Sequence, residues 1–187
     1  MEKLYLQKVL EGDISKYSYF IEKYKNMAFS IAFRIIRNRE DAEEILQDSF
    51  LRAFKSLGNF RQDSKFSTWF YRIVVNNALA KLKREKSDTP EIDISEVPDS
   101  VIESVESVYK SLAHEDQQKY INYALGEMST EDALILTLFY LNENSIEEIE
   151  EITSIARENL KMKIHRARKK MYIILERKLK SEIYNLL

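Results

Sequence analysis

The chain has 187 residues, 44% of them hydrophobic, with three glycines, two prolines and no cysteine. So little Gly and Pro argues against turn-dense all-β folds and folds built on Gly-rich phosphate loops, and the lack of Cys excludes disulfides, thiolate zinc sites and thiol nucleophiles. The net charge of −2 conceals a partition: residues 1–89 carry a net +5, residues 90–160 a net −14 and residues 161–187 a net +7, an asymmetry that points to contact with nucleic acid or a membrane.

Residues 3–37 read as helix with a break at Gly12-Asp13. Tyr17, Phe20, Ile21, Tyr24, Ala28, Ile31 and Ile35 recur at spacings of three and four, the signature of one buried helical face. Asn38 and Asp41 are candidate caps for the next helix, which runs from about Asp41 to Leu57. That helix is expected to bury Ala42, Leu46, Phe50, Ala53 and Leu57, and Gly58-Asn59 stops it. A polar loop follows from Asn59 to Ser67, and Thr68 precedes a helix to about Lys86.

From residue 87 the composition changes. Both prolines, Pro90 and Pro98, lie here among acidic residues, and no strong apolar stripe is present. Residues 87–114 therefore read as an acidic linker between a domain at 1–86 and a domain at 115–187. The second domain is expected to hold four short helices near 115–126, 130–141, 145–152 and 156–180. The fold class is all-α, two small helical domains with a helix-turn-helix in the second. No run of 18 apolar residues exists, and charges are spread through the first ten residues, so neither a membrane-spanning helix nor a signal peptide is expected and the chain reads as cytoplasmic.

Three constellations carry chemistry. On the 41–57 helix, Asp41, Glu44, Asp48, Leu51, Arg52 and Lys55 share the polar face; an exposed Leu flanked by carboxylates suits docking of a basic partner helix, although a lone exposed Leu is usually without consequence. The 59–86 segment mixes aromatics with base, which suits single-stranded nucleic acid, bases stacking on rings and cations following the backbone. Phe70, Ile73 and Val74 read as core; for Phe60, Arg61, Arg72 and Asn76, core and nucleic-acid roles balance on chemistry alone. In the third constellation, Ile146, Ile149 and Ile152 form a short stripe behind a Ser145–Glu148 capping-box pattern, a three-residue turn follows, and the next helix puts Leu160, Ile164, Ala167 and Met171 on one side. Its other side carries Glu158, Lys161, Met162, His165, Arg166 and Lys169. That is the pattern of a helix-turn-helix whose second helix enters the major groove, and a solvated basic surface helix is the competing reading.

Residues 41–54, DAEEILQDSFLRAF, resemble the polymerase-docking helix of bacterial extracytoplasmic-function sigma factors of the sigma-70 family. Phe60-Arg61 with Phe66 to Ile73 is similar to their promoter-melting segment, and Ser145 to Ile149 with Lys161 to Lys170 to their helix-turn-helix. The blocks stand in family order. The resemblance implies a first domain that docks on the clamp helices of the largest subunit of core RNA polymerase and opens the minus-ten element. It implies a second domain that reads the minus-thirty-five element as duplex and meets the flap tip of the other large subunit. It also implies promoter DNA as ligand and control by an anti-sigma factor, often membrane-anchored.

By position, Asp41, Glu44, Gln47, Asp48, Leu51 and Arg52 are expected to face the polymerase. Phe60, Arg61, Ser64, Lys65, Trp69, Arg72, Asn76, Lys83 and Arg84 are expected around the minus-ten strand. Arg157, Lys161, Met162, His165, Arg166 and Lys169 are expected at the minus-thirty-five element, with Lys169 and Lys170 nearer phosphate or polymerase. The chain departs from the family in the turn, where Thr153-Ser154 stand for an apolar residue and Gly, and at Ala156, which replaces the usual Ser cap.

Two other functions compete. A stand-alone helix-turn-helix regulator leaves the aromatic-basic 59–86 segment without a role. An enzyme finds little support: only His114 and His165 are present, and no acid–base pair can be placed. No cofactor, metal or small-molecule substrate is expected.

Overall fold

The computed structural model describes residues 1–83, 92–95, 97–101, 103 and 115–186, and every regular element among them is helical. Arg84, His114 and most of the acidic linker lie outside the described residues. Contacts gather Met1–Lys86 with Glu148–Ser154 into one unit and Ser87–Glu147 with Ile155–Leu187 into another.

The first unit is built on α1 (Glu2–Leu10), α2 (Tyr17–Ile36), α3 (Arg39–Lys55) and α4 (Phe66–Leu82). The break after α1 falls at Gly12, whose φ of +106° is one that L side chains rarely adopt. Asn38 caps α3, its side-chain oxygen accepting the Asp41 N–H at 3.0 Å, and Glu40 and Asp41 in the first turn complement the helix dipole. Helices α2, α3 and α4 pack together. Phe20, Ala28, Ile31, Ala42, Ala53, Phe70 and Val74 are buried at their centre. Ring pairs extend that core, Phe20 on Phe66 and Phe50 on Phe70, each with centroids 4.5 Å apart. The Tyr17 hydroxyl donates to the Phe50 carbonyl at 2.8 Å and ties α2 to α3. Removing a ring such as Phe70 costs about 3–5 kcal/mol.

Three local expectations differ from what is observed. Ile21 sits at the exposed rim of α2 rather than in its buried face. On α3 the core positions are Ile45 and Ser49, and Leu46 is only half-buried. The inward face of α3 is thus rotated toward α4, because α3 packs against α2 and α4 together. Ser49 is tolerated there because its hydroxyl donates to the Ile45 carbonyl at 2.6 Å and accepts from the Asn77 amide at 2.9 Å. Finally, α4 starts at Phe66 and not after Thr68, which is buried inside the helix. The start has no side-chain cap; the packing of the Phe66 ring on Phe20, Tyr24 and Phe70 sets it.

The second unit contains α5 (Glu115–Glu127), α6 (Thr130–Leu136, continued by a π turn, Thr137–Leu141) and α8 (Arg157–Leu186). The last helix extends beyond the expected end near residue 180. Its core joins Ile121, Leu125, Met128, Leu136, Ala167, Met171 and Ile174. Ser129 caps α6 by accepting the Asp132 N–H at 3.2 Å. The Asp132 carboxylate accepts from the Ser129 hydroxyl and from Lys170, each at 2.7 Å, which pins α8 to the start of α6. The acidic segment also contributes: Ile92 packs against this core and Val101 is buried. Helix α7 (Ile146–Thr153) buries Ile149 and Ile152, and Ser154–Ala156 separate it from α8. Ser154 adopts φ +59° while its N–H donates to the Glu150 carbonyl at 2.8 Å, a left-handed helix stop.

Candidate nucleic-acid interface

The α3 face expected to meet the polymerase is solvent-facing, with Glu44, Gln47, Asp48, Leu51 and Arg52 exposed and Asp41 half-buried. Lys81 of α4 binds both Asp41 and Glu44, the latter at 2.7 Å. Hydrogen bonds to Asp41 first, and then to Glu44, push the Lys81 ammonium up to about 12. An opening of about 300 Å³ beside this pair is lined by Glu44, Asp48, Arg52, Asn77 and Lys81. Leu51, 51% exposed, does not stand alone as the sequence suggested. With Ile14, Ile21 and Phe54 it lines an apolar groove of about 460 Å³. Sequence reasoning missed this groove because Ile14 lies on the turn before α2 and Ile21 has the helical spacing of a core residue.

On α4, Arg72, Asn76 and Lys83 are exposed, and Trp69 is half-buried. At about 100° per residue these four fall within roughly 60° of arc, so they form one stripe along the helix. Phe60 and Trp69 pack with centroids 5.0 Å apart, and Phe66 lies beneath both. Each of the two outer rings therefore has one side on the core and one edge at the surface, a stacking platform held in place by packing. Arg61 and Lys65 are exposed and Ser64 half-buried on the preceding loop. Gln62 in that loop has φ +60°.

On α8, Leu160, Ile164, Ala167 and Met171 are buried, as the spacing predicts. The opposite face exposes Arg157, Glu158, Lys161, Met162 and Arg166, with His165 and Lys169 half-buried. Several cations of this helix are used internally: Lys163 pairs with Glu131, Lys170 with Asp132, and the Arg168 guanidinium lies 5.4 Å from the ring centres of Phe139 and Tyr140. The Lys170 ammonium is thus engaged within the unit, its side chain 18% exposed. Arg157 lies 2.7 Å from Glu147, whose carboxyl is held below its usual range by its own backbone N–H and the Ser145 hydroxyl. Asp99 of the acidic segment sits against the same face, 2.6 Å from Lys169 and 3.1 Å from His165. Nothing in the local pattern around Asp99 announced that contact. No group of His, Asp and Glu among the described residues could hold a metal ion, and no described helix is long and apolar enough to cross a membrane.

The helices that carry these surfaces overlap segments matched by known protein families. Residues 20–87 match the family model of sigma-70 region 2 and residues 118–171 that of sigma-70 region 4. The chain is 29% identical over 179 residues to the ECF RNA polymerase sigma factor SigW of Bacillus subtilis, covering 90% of this chain and 93% of that protein. It is 30% identical over 155 residues to the RNA polymerase sigma factor SigV of the same organism, covering 82% and 87%. The fold is similar to that of CnrH solved in complex with the cytosolic domain of CnrY, with a TM-score of 0.64 at 17% identity over 92% of this chain and 96% of that one. It is also similar to RpoE of Bartonella quintana solved with the anti-sigma factor NepR, with a TM-score of 0.59 at 17% identity, covering 84% and 96%. Region 2 spans the stripe on α4 and the acidic face of α3, region 4 spans the basic face of α8, and the chain belongs to the sigma-70 family as an extracytoplasmic-function sigma factor, which directs promoter-specific initiation of transcription by RNA polymerase.

Proposed function

We propose that the three exposed faces divide the work of initiation. The α3 face, with Asp41, Glu44, Gln47, Asp48, Leu51 and Arg52, docks on the clamp helices of the polymerase largest subunit. The α4 stripe and its preceding loop, with Phe60, Arg61, Ser64, Lys65, Trp69, Arg72, Asn76 and Lys83, hold the unwound minus-ten strand. The α8 face, with Arg157, Lys161, Met162, His165, Arg166 and Lys169, enters the major groove of the minus-thirty-five element, and the same unit meets the flap tip. The observation that carries this reading is a difference between faces: on α3 the exposed Leu51 stands among Glu44 and Asp48, whereas the α4 stripe sets Arg72 and Lys83 beside Trp69, and α8 exposes Arg157, Lys161 and Arg166 together. Cations along a helix neutralise phosphates, and side chains early in a groove-bound helix reach base edges.

The role is recognition in the cytoplasm, without a catalytic step of its own. An anti-sigma factor holds the protein inactive; two structures similar in fold contain partner chains, the cytosolic domain of CnrY and the anti-sigma factor NepR. Run-off transcription with core polymerase on genomic DNA tests the whole reading. Discrete start sites that require this chain are expected, and their absence sinks it. Tight duplex binding by the free chain, unaffected by polymerase, would favour a stand-alone regulator instead.

A further inference from the structure

Met162 is one of the few large apolar side chains that the described structure leaves exposed, at 54%. Its setting is unusual. Glu158, Lys161, His165, Arg166 and Lys169 surround it on the face of α8 opposite the buried Leu160, Ile164 and Ala167. The core of the second unit makes no use of it. Met162 lies in the second turn of α8, the part of a groove-bound recognition helix that comes nearest the base edges.

A thioether there constrains what it can read. It has no hydrogen to donate and accepts weakly. Pressed against a purine edge or a cytosine amino group, it would strip those groups of water and return no hydrogen bond, at a net cost. The 5-methyl group of thymine is the apolar feature of the major-groove floor, and burying a thioether against it removes two apolar surfaces from water at once. The side chain is unbranched and flexible, so it can reach the methyl while its polar neighbours hold phosphates and base edges.

We propose that Met162 is a specificity-determining residue that reads the 5-methyl group of one thymine in the minus-thirty-five element. The inference rests on the assignment of α8 to that duplex. It predicts a promoter preference at one base pair that arises from a methyl contact and not from a hydrogen bond.

The test uses holoenzyme reconstituted from the full chain and core polymerase, on a promoter recovered by mapping start sites. Each thymine of the minus-thirty-five element, on either strand, is replaced singly by uracil, which deletes only the methyl group. At one position uracil is expected to weaken binding by wild-type holoenzyme about fourfold, the equivalent of one buried methylene. Met162→Ala is expected to bind the thymine and uracil promoters equally, with the loss confined to that position. Because Met162 lies outside the core, the variant should melt at the wild-type temperature. Uracil tolerated at every position overturns the proposal, as does an element with no thymine on either strand. A uracil penalty of equal size in Met162→Ala also overturns it, since the methyl is then read by another residue. Absence of any specific start site fails the promoter assignment itself, a result separable from discrete start sites whose strength ignores the thymine methyl.

Discussion

Asp99 accepts a hydrogen bond from Lys169 at 2.6 Å, and the same carboxylate oxygen lies 3.1 Å from Nε2 of His165. Lys169 is only 14% exposed in this arrangement. A carboxylate from the acidic segment thus occupies the side of α8 where a phosphate is expected to bind. Asp99→Asn should therefore strengthen binding of the isolated protein to a minus-thirty-five duplex several-fold, because a competing anion is removed. Fluorescence anisotropy at fixed salt reads this directly. Equal affinity of the two proteins would show that the Asp99 contact does not compete with DNA. The hydrogen bond from Lys169 holds the Asp99 carboxyl below its usual range. A depressed carboxyl contributes its contact above its ordinary value of about 4, and the contact is lost as pH falls through the lower folded value, so the Lys169–Asp99 pair should persist at neutral pH and weaken only in acid.

Leu51 and Asn76 separate docking from melting. Leu51→Asp places a charge at the rim of the groove shared with Ile14, Ile21 and Phe54, and should weaken core polymerase binding by an order of magnitude or so, as buried apolar anchors do. Asn76→Ala, at an exposed position on α4, should leave core binding within about twofold and reduce open-complex formation by about tenfold, the scale of one lost specific base contact. Titration of core polymerase and permanganate footprinting distinguish the two. Parallel losses in both assays for Asn76→Ala would remove it from the unwound strand.

Ser154 stops α7 in a left-handed conformation at φ +59°. A serine there pays a steric cost that glycine avoids, partly offset by the extra freedom glycine has when unfolded. Ser154→Gly should raise stability by about 0.5–1 kcal/mol, and Ser154→Val should lower it by at least as much. Urea unfolding midpoints decide the sign. A destabilising glycine substitution would mean that the serine side chain contributes more than the backbone strain costs.

Burial pushes the hydroxyls of Tyr17, Tyr24 and Tyr71 well above the ordinary tyrosine value. The folded state therefore favours the neutral phenols. Their contribution is complete below the unfolded value of about 10 and is lost as pH rises above it, so the first unit should unfold progressively in alkali. Tyr17→Phe should cost about 1 kcal/mol at neutral pH, through the lost bond to the Phe50 carbonyl, and should flatten the alkaline limb. Thermal melts from pH 8 to 11 measure both effects. A melting temperature independent of pH across that range would contradict the cause assigned to these shifts.

Periodicity exposed much of this architecture in advance. The apolar stripe of α8, the Asn38 cap and the break at Gly12 are local features, set by residues within one or two turns of each other, and they appear where the spacing places them. The failures are tertiary. Ile21 has the spacing of a core residue but lies beyond the line where α2 meets its neighbours, and Leu46 lost its place to Ile45 and Ser49 because α3 packs against two helices at once. The start of α4 followed the Phe66 ring, not a capping side chain.

The candidate surfaces divide in the same way. The residue types and their helical register were determined by the sequence alone: cations beside aromatics on α4, a basic face with Met162 on α8, carboxylates around Leu51 on α3. Register within a helix depends only on a fixed rotation per residue, so one chain segment suffices to reveal it. The tertiary structure alone decided that Leu51 lines a groove with Ile14, Ile21 and Phe54, that Lys170 pairs with Asp132, and that Asp99 reaches Lys169. These contacts join residues far apart in sequence, and the chain pays for them with packing elsewhere in each unit, so no local pattern encodes them.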